Sequence, residues 1–125
     1  MLEVRSVTKR FGGLIAVQEV EFQVREREIC GLIGPNGAGK TTLFNMISGF
    51  MTPDAGRIFF CGQDITGMEP AKVCAIGLAR TFQTSRLFGG LTVEDNVYLA
   101  VLGVRDGHLR PVVHHEDSEM RERAR

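Results

Sequence analysis

Apolar and polar residues alternate in two stretches near the amino terminus, as they do in strands with one buried face. Leu2, Val4 and Val7 stand among polar residues and predict a first strand over 2–8. Val20 begins a second alternation, with apolar residues at 20, 22 and 24 and polar residues between them. This pattern predicts a strand over 20–24, with one face on a core and the other in water.

The run over 29–33 has a different pattern, because it contains no charged or amide side chain. Such a run suits a strand buried on both faces, as in a parallel sheet. A glycine-rich loop follows it, and the apolar periodicity after the loop predicts a helix that ends near Gly49. Shorter patterns predict strands over 57–61 and 78–82, a helix over 70–76 that starts at Pro70, and another helix after Thr92, where Asp95 completes a capping-box-like start.

The loop itself carries chemistry, since 34–42 reads GPNGAGKTT and fits the phosphate-binding pattern G-x-x-x-x-G-K-[ST] in full. Its glycines permit backbone angles that turn successive N–H groups toward one anion, and the following helix adds the positive end of its dipole. The alternative is a plain glycine turn before a helix, with the lysine as a solvated charge. The predicted nucleotide-binding residues of this loop are Gly34, Pro35, Asn36, Gly37, Ala38, Gly39, Lys40, Thr41 and Thr42.

Two side chains of the loop have particular roles in this pattern. Lys40 brings a point charge to the β- and γ-phosphates, which makes it a predicted catalytic residue. The Thr41 hydroxyl is placed to ligate Mg²⁺. A phosphate loop alone indicates only a nucleoside triphosphate or a similar ligand.

Length and charge narrow the class of protein. The chain has 125 residues, at most one domain, and its fifteen basic and fifteen acidic residues cancel. We therefore expect no nucleic-acid partner and no attraction to anionic lipid. The sequence shows no signal peptide and no apolar run near the roughly 20 residues that span a bilayer, so any membrane part would come from another chain.

Cysteines and histidines do not suggest a metal site. The cysteines lack C-x-x-C spacing and are interpreted as buried free thiols of a reducing cytosol: Cys30, Cys61 and Cys74. The histidines lie in a segment with Gly107 and Pro111, which favours a solvent loop: His108, His114 and His115.

The sequence resembles the ATP-binding subunits of ABC transporters. The form GPNGAGKTT is typical of that family, KRFGG over 9–13 looks like its adenine-stacking loop, and ARTFQ over 79–83 looks like its glutamine loop. RFGGLIAV and RTFQTSRLFGGLTVEDNV look most like the ATPase subunits of branched-chain amino acid importers. The resemblance covers nearly the whole chain and weakens after about Gly103.

Three residues take their roles from this resemblance. Phe11 would stack on adenine through its aromatic face, and Val17 would form a wall of the adenine pocket; by pattern alone, either residue could belong to the core. Gln83 would be catalytic and would contact Mg²⁺ and the attacking water, although a glutamine after an apolar strand is usually a surface residue. Thr41 and Gln83 are thus the predicted metal ligands.

The resemblance also implies a fold, which is an α/β P-loop NTPase fold of the ABC ATPase type with an N-terminal antiparallel β part and a parallel-sheet core. Residues 1–125 would be the N-terminal part of a single nucleotide-binding domain, truncated near the start of its helical subdomain. This expectation rests on family elements that the chain lacks: a signature loop, an apolar strand ending in Asp-Glu, and a switch histidine. The chain alone is therefore expected to be inactive as an ATPase.

The implied function is that of an ATP-binding subunit of an importer, which couples ATP binding and hydrolysis to transport of branched-chain or related amino acids. ATP and Mg²⁺ are the implied cofactors. The implied partners are membrane-spanning permease subunits, at the loop over 83–88, and a second ATP-binding subunit. The location would be cytoplasmic, on the inner face of the plasma membrane through the permease. Two alternatives stay open: a soluble ABC ATPase without a transport role, and a non-catalytic nucleotide-binding fragment.

Overall fold

A computed structural model of the chain describes residues 1–82 and 87–106, with the last five of these as backbone only. The chain divides into two compact units, Met1–Val73 and a second unit that begins at Cys74.

The first unit contains a four-stranded antiparallel sheet. Its strands are β1 (Leu2–Phe11), β2 (Leu14–Val24), β3 (Ala55–Phe60) and β4 (Gln63–Asp64), arranged in the order β2-β1-β3-β4. Val4 of β1 lies opposite both Phe22 and Ile58, and Val4 and Ile58 are fully buried while Phe22 is half-buried. The predicted antiparallel part is confirmed.

β1 and β2 are longer than the alternation predicted, because bulges interrupt their period. Ser6 and Glu19 have φ angles of 47° and 45°, and the pairing register shifts on each side of Val7. As a result, Val7 and its neighbour Thr8 are both buried. The Thr8 hydroxyl accepts a hydrogen bond from the Glu19 N–H at 3.0 Å, which satisfies a donor that the bulge removes from the ladder.

One helix and the first four residues of a second helix complete this unit and its core. α1 (Lys40–Ile47) ends before Gly49, which has a φ of 77° and whose N–H donates to the Met46 carbonyl at 3.3 Å. α2 (Pro70–Ala75) begins at the predicted proline. The buried apolar residues come from the strands, both helices and the segment between β4 and α2: Val4, Val7, Val17, Leu43, Met46, Ile47, Ile58, Ile65 and Val73.

The predicted strand over 29–33 is wrong. These residues have no regular structure, and Ile29 and Ile33 are 100% and 95% exposed. A strand of a parallel sheet forms only where neighbouring strands pair with its N–H and C=O groups, and no described residue pairs with this run. The predicted parallel-sheet core is therefore not present within 1–82 and 87–106, where all strand pairing is antiparallel.

In the second unit, α3 (Val93–Asp106) begins where predicted. The Asp95 N–H donates to the Thr92 hydroxyl at 3.1 Å, and that hydroxyl donates to the Asp95 carboxylate at 2.7 Å. Asn96 adds a second tie, since its amide accepts from the Phe88 N–H at 2.9 Å and donates to the Thr92 carbonyl at 2.9 Å. The predicted strand over 78–82 is not observed.

The cysteines are free, as predicted, but exposed rather than buried. Cys61 lies in the turn between β3 and β4 with a φ of 49°, and Cys30 belongs to the exposed run before the phosphate loop. Among the described residues, no group of three or more His, Cys, Asp or Glu side chains could hold a metal ion. The three histidines lie outside the described residues. No helix in the described part of the chain has the length and apolar character to cross a bilayer.

Candidate nucleotide-binding site

The loop over 34–39 folds tightly between the exposed run and α1. Gly37 and Gly39 have φ angles of 84° and 78°, which side-chained residues rarely adopt. A Cβ atom on Gly34 would lie 3.2 Å from the Ala38 Cβ, so the two ends of the loop approach each other closely. The predicted glycine-dependent loop is therefore present.

At Gly39 this loop packs directly against β2. A Cβ atom at Gly39 would lie 2.2 Å from the Ala16 carbonyl oxygen and 3.1 Å from Cγ2 of Val17. Only glycine fits this approach, because both the space and the positive φ exclude a side chain. The contact fixes the start of α1 against the sheet.

The start of α1 has the properties of an anion site. Gly39 is the N-cap residue and supplies no side-chain hydrogen bond, and the first turn contains no acidic residue. The N–H groups of the first turn therefore lack a capping partner, and the positive end of the helix dipole lies among them. Thr41 is exposed there and Thr42 is half-buried. A phosphate group fits both the charge and the donors of this position.

The Lys40 side chain folds back over the loop. Its Nζ donates hydrogen bonds to the carbonyl oxygens of Gly34 and Pro35, each at 2.6 Å. An ammonium group has three N–H donors, so one more is available for a ligand oxygen. The two carbonyls hold the positive charge at the loop without neutralising it, and the loop and its lysine therefore fit a polyphosphate.

Phe11 ends β1 and is 46% exposed, which excludes its interpretation as a core residue. Lys9 places its Nζ 5.9 Å from the centre of the Phe11 ring. Val17 is 6% exposed and lies opposite Lys9 in the β1–β2 pairing. Val17 therefore belongs to the core and also borders the phosphate loop through Gly39.

Asp54 lies directly before β3 and is a neighbour of this region that the motifs of the sequence did not indicate. Its carboxylate accepts hydrogen bonds from Lys9 Nζ at 2.8 Å and from the Arg10 N–H at 2.7 Å. The Lys9 contact, followed by the Arg10 N–H, lowers the pKa of Asp54 from its ordinary value. The signal in the sequence was weak, because nothing local relates residue 54 to residues 9 and 10.

The structure does not test the predicted role of the glutamine. Gln83 lies outside the described residues. Before Gln83, the Arg80 guanidinium lies over the Phe82 ring, with its Cζ 4.9 Å from the ring centre. After Gln83, the apolar side chains of Leu87 and Phe88 are exposed.

Comparisons with known proteins identify the family to which this chain is similar. A family model described as ABC transporter matches residues 17–125. BraF of Pseudomonas aeruginosa, a high-affinity branched-chain amino acid transport ATP-binding protein, is 46% identical over 100 residues, which are 80% of this chain and 39% of that protein. LivG of Escherichia coli K12, which has the same description, is 44% identical over the same shares of the two chains. PotA of Nitrosospira multiformis, a spermidine/putrescine import ATP-binding protein, is 46% identical over 97 residues, 78% of this chain and 26% of that protein.

Solved structures show the same fold. An ATP-binding cassette of an ABC transporter in its ADP conformation has a TM-score of 0.75 and 32% identity, and the match covers 95% of this chain and 49% of that one. A dimeric cassette in a post-hydrolysis state with ADP and phosphate has a TM-score of 0.73 and 25% identity, covering 99% and 54%. The chain thus has the α/β fold of these cassettes and spans about two fifths of the length of the branched-chain relatives.

Proposed function

The chain belongs to the ABC transporter family, and we propose that it binds ATP at the loop over 34–42 within the ATPase subunit of an importer. The observation that carries the proposal is the arrangement of Lys40 above a helix start that has no cap. A positive charge, free N–H donors and a loop that admits only glycine at its contact with β2 together favour a polyphosphate ligand.

Each binding residue has a proposed part in that complex. Lys40 and the first-turn N–H groups would bind the phosphates, and the Phe11 ring would stack on adenine beside the wall that Val17 provides. Thr41 and Gln83 would hold Mg²⁺, an ion that neutralises phosphate charge in phosphoryl transfer. The exposed position of Thr41 at the start of α1 and the exposed face of Phe11 support these assignments.

We further propose that ATP hydrolysis by this subunit drives import of branched-chain or related amino acids. The names of the relatives BraF and LivG support this cargo, and the equally similar PotA makes a polyamine the competing cargo. Permease subunits would bind near the segment over 83–88, next to exposed Leu87 and Phe88, and a second ATP-binding subunit would complete a dimer, as in the dimeric cassette. The subunit would act on the cytoplasmic face of the membrane through that permease.

The test is an uptake assay in a strain that lacks the gene for this protein. The wild-type gene should restore uptake of labelled leucine, isoleucine and valine, and the gene with Lys40→Ala should not. Labelled spermidine in parallel cultures separates the competing cargo. Restoration of spermidine uptake without leucine uptake would contradict the amino acid assignment, and restoration by Lys40→Ala would contradict the role of ATP.

A further inference from the structure

The turn over 52–54 is tied to the end of β1 by a set of four hydrogen bonds. The Asp54 N–H donates to the Thr8 carbonyl at 2.9 Å, and the two oxygens of its carboxylate accept from Lys9 Nζ at 2.8 Å and from the Arg10 N–H at 2.7 Å. Lys9 Nζ also donates to the Thr52 carbonyl at 2.8 Å. The turn thus fixes three consecutive residues of β1.

These residues lead directly into Phe11. The Lys9 side chain is only 16% exposed, and its Nζ lies 5.9 Å from the centre of the Phe11 ring. Beyond Phe11 the chain turns at Gly12 and Gly13, and Phe11 pairs with Leu14 at the start of β2. The position of the ring therefore depends on the end of β1, which the turn over 52–54 holds, and on its pairing with β2.

We propose that Asp54 is a positioning residue for the nucleobase, which acts through Lys9 and Arg10 and touches no nucleotide itself. Asp54 holds the end of β1 so that the Phe11 ring presents its face to the base before the nucleotide arrives. This inference rests on the proposed ATP site. Because the ion pair of Asp54 with Lys9 is partly exposed, it contributes little to folding stability, and its main effect is on the orientation of the ring.

The test compares ATP with inorganic tripolyphosphate, which has the phosphates but no base. Both are titrated calorimetrically, with Mg²⁺, into the intact protein and into its Asp54→Ala variant. Asp54→Ala should raise the Kd for ATP about threefold to tenfold, which is less than the rise expected when the Phe11 ring itself is removed. The Kd for tripolyphosphate should not change. Asp54→Asn keeps an acceptor for the Arg10 N–H and should give a smaller rise in the Kd for ATP. If the alanine variant does not fold, the Kd values of Asp54→Asn for ATP and tripolyphosphate are compared with those of the wild type instead.

Two further variants connect the effect to the ring. In a Phe11→Ala background, Asp54→Ala should cause no additional loss of ATP affinity, because the ring through which Asp54 acts is gone. Asp64→Ala, which removes another exposed aspartate of the same sheet, should leave the Kd values for both ligands unchanged.

Other results would overturn the inference. Equal losses of affinity for ATP and tripolyphosphate would show a general structural role for Asp54. Full additivity of Asp54→Ala with Phe11→Ala would show that Asp54 does not act through the ring. An unchanged Kd for ATP would remove the role altogether. A wild-type protein that binds neither ligand would overturn the proposed ATP site and this inference with it, which distinguishes the two failures.

Discussion

Gly39 and Ala16 approach so closely that a single added methyl group on Gly39 would lie 2.2 Å from the Ala16 carbonyl oxygen. The phosphate loop is therefore held by the antiparallel sheet through a glycine, at the residue where α1 begins. This contact shows that packing against β2 requires glycine at that position.

Gly39→Ala should damage both the packing against β2 and the binding of ATP. The positive φ alone costs a side-chained residue about 1–3 kcal/mol, and the clash with β2 adds to this. We expect a lower midpoint of denaturant unfolding and weaker ATP binding. Gly62→Ala is the matched control, because Gly62 has a similar φ of 83° but a Cβ atom there meets no other atom within 4 Å. Equal effects of the two variants on the unfolding midpoint and on ATP binding would contradict the described contact of Gly39 with β2.

Phe11→Ala should weaken ATP binding while Phe11→Tyr should not, since stacking uses only the aromatic face. Stacking of a base on an aromatic ring contributes about 1–3 kcal/mol, so the Kd for ATP should rise roughly fivefold to a hundredfold. The melting temperature without ligand should change little, because the ring is 46% exposed. A large fall in melting temperature with unchanged affinity would instead make Phe11 a residue of structural importance only.

The run over 29–33 should make the 125-residue chain bind a hydrophobic dye, because Ile29 and Ile33 are almost entirely exposed. The double variant Ile29→Ser and Ile33→Ser should reduce the dye fluorescence. Leu14→Ser removes a single exposed apolar side chain at the tip of the β1–β2 hairpin and should reduce it less. Dye binding that does not depend on Ile29 and Ile33 would show that this run is covered in solution.

Acidification should remove a small part of the folding stability through Asp64. Hydrogen bonding to the Thr66 hydroxyl, and then to the Thr66 N–H, lowers the pKa of Asp64 from the ordinary value of an aspartate, about 3.9. A lowered pKa in the folded state means that the contribution is present above pH 4 and is lost as the pH falls through the folded-state pKa. Melting temperatures of wild type and Asp64→Asn should therefore differ at pH 6 and converge below that pKa. A constant difference across this range would contradict the assignment.

Local patterns in the sequence were sufficient for part of the fold. The start of α3 followed from Thr92 and Asp95, and α2 from Pro70, because caps and helix-starting prolines act within one turn. β1 and β2 were predicted too short, since bulges at Ser6 and Glu19 shift the alternation and no local signal announces them. The run over 29–33 was wrong because the structure of a buried strand depends on partners far away in sequence.

The same distinction applies to the site. The phosphate loop is contiguous, so its motif named Lys40 and the glycines directly. Only the structure reveals the contacts between segments that are more than twenty residues apart. These are the close approach of Gly39 to Ala16 and the hydrogen bonds of Asp54 to residues 9 and 10. Val17 was open between pocket and core, and the structure shows why: it is buried and yet contacts the loop.

The central claim, that the loop over 34–42 binds ATP through Lys40, is tested most directly by calorimetric titration of ATP with Mg²⁺ into wild type, Lys40→Ala and Lys72→Ala. Lys72 is an exposed lysine of the same unit that pairs with Glu69 at 3.5 Å, and its removal should leave the Kd unchanged. Loss of a charge-assisted contact costs on the order of 1.5–3 kcal/mol, so Lys40→Ala should raise the Kd about tenfold to a hundredfold. A Kd that is the same in wild type and Lys40→Ala would contradict the claim.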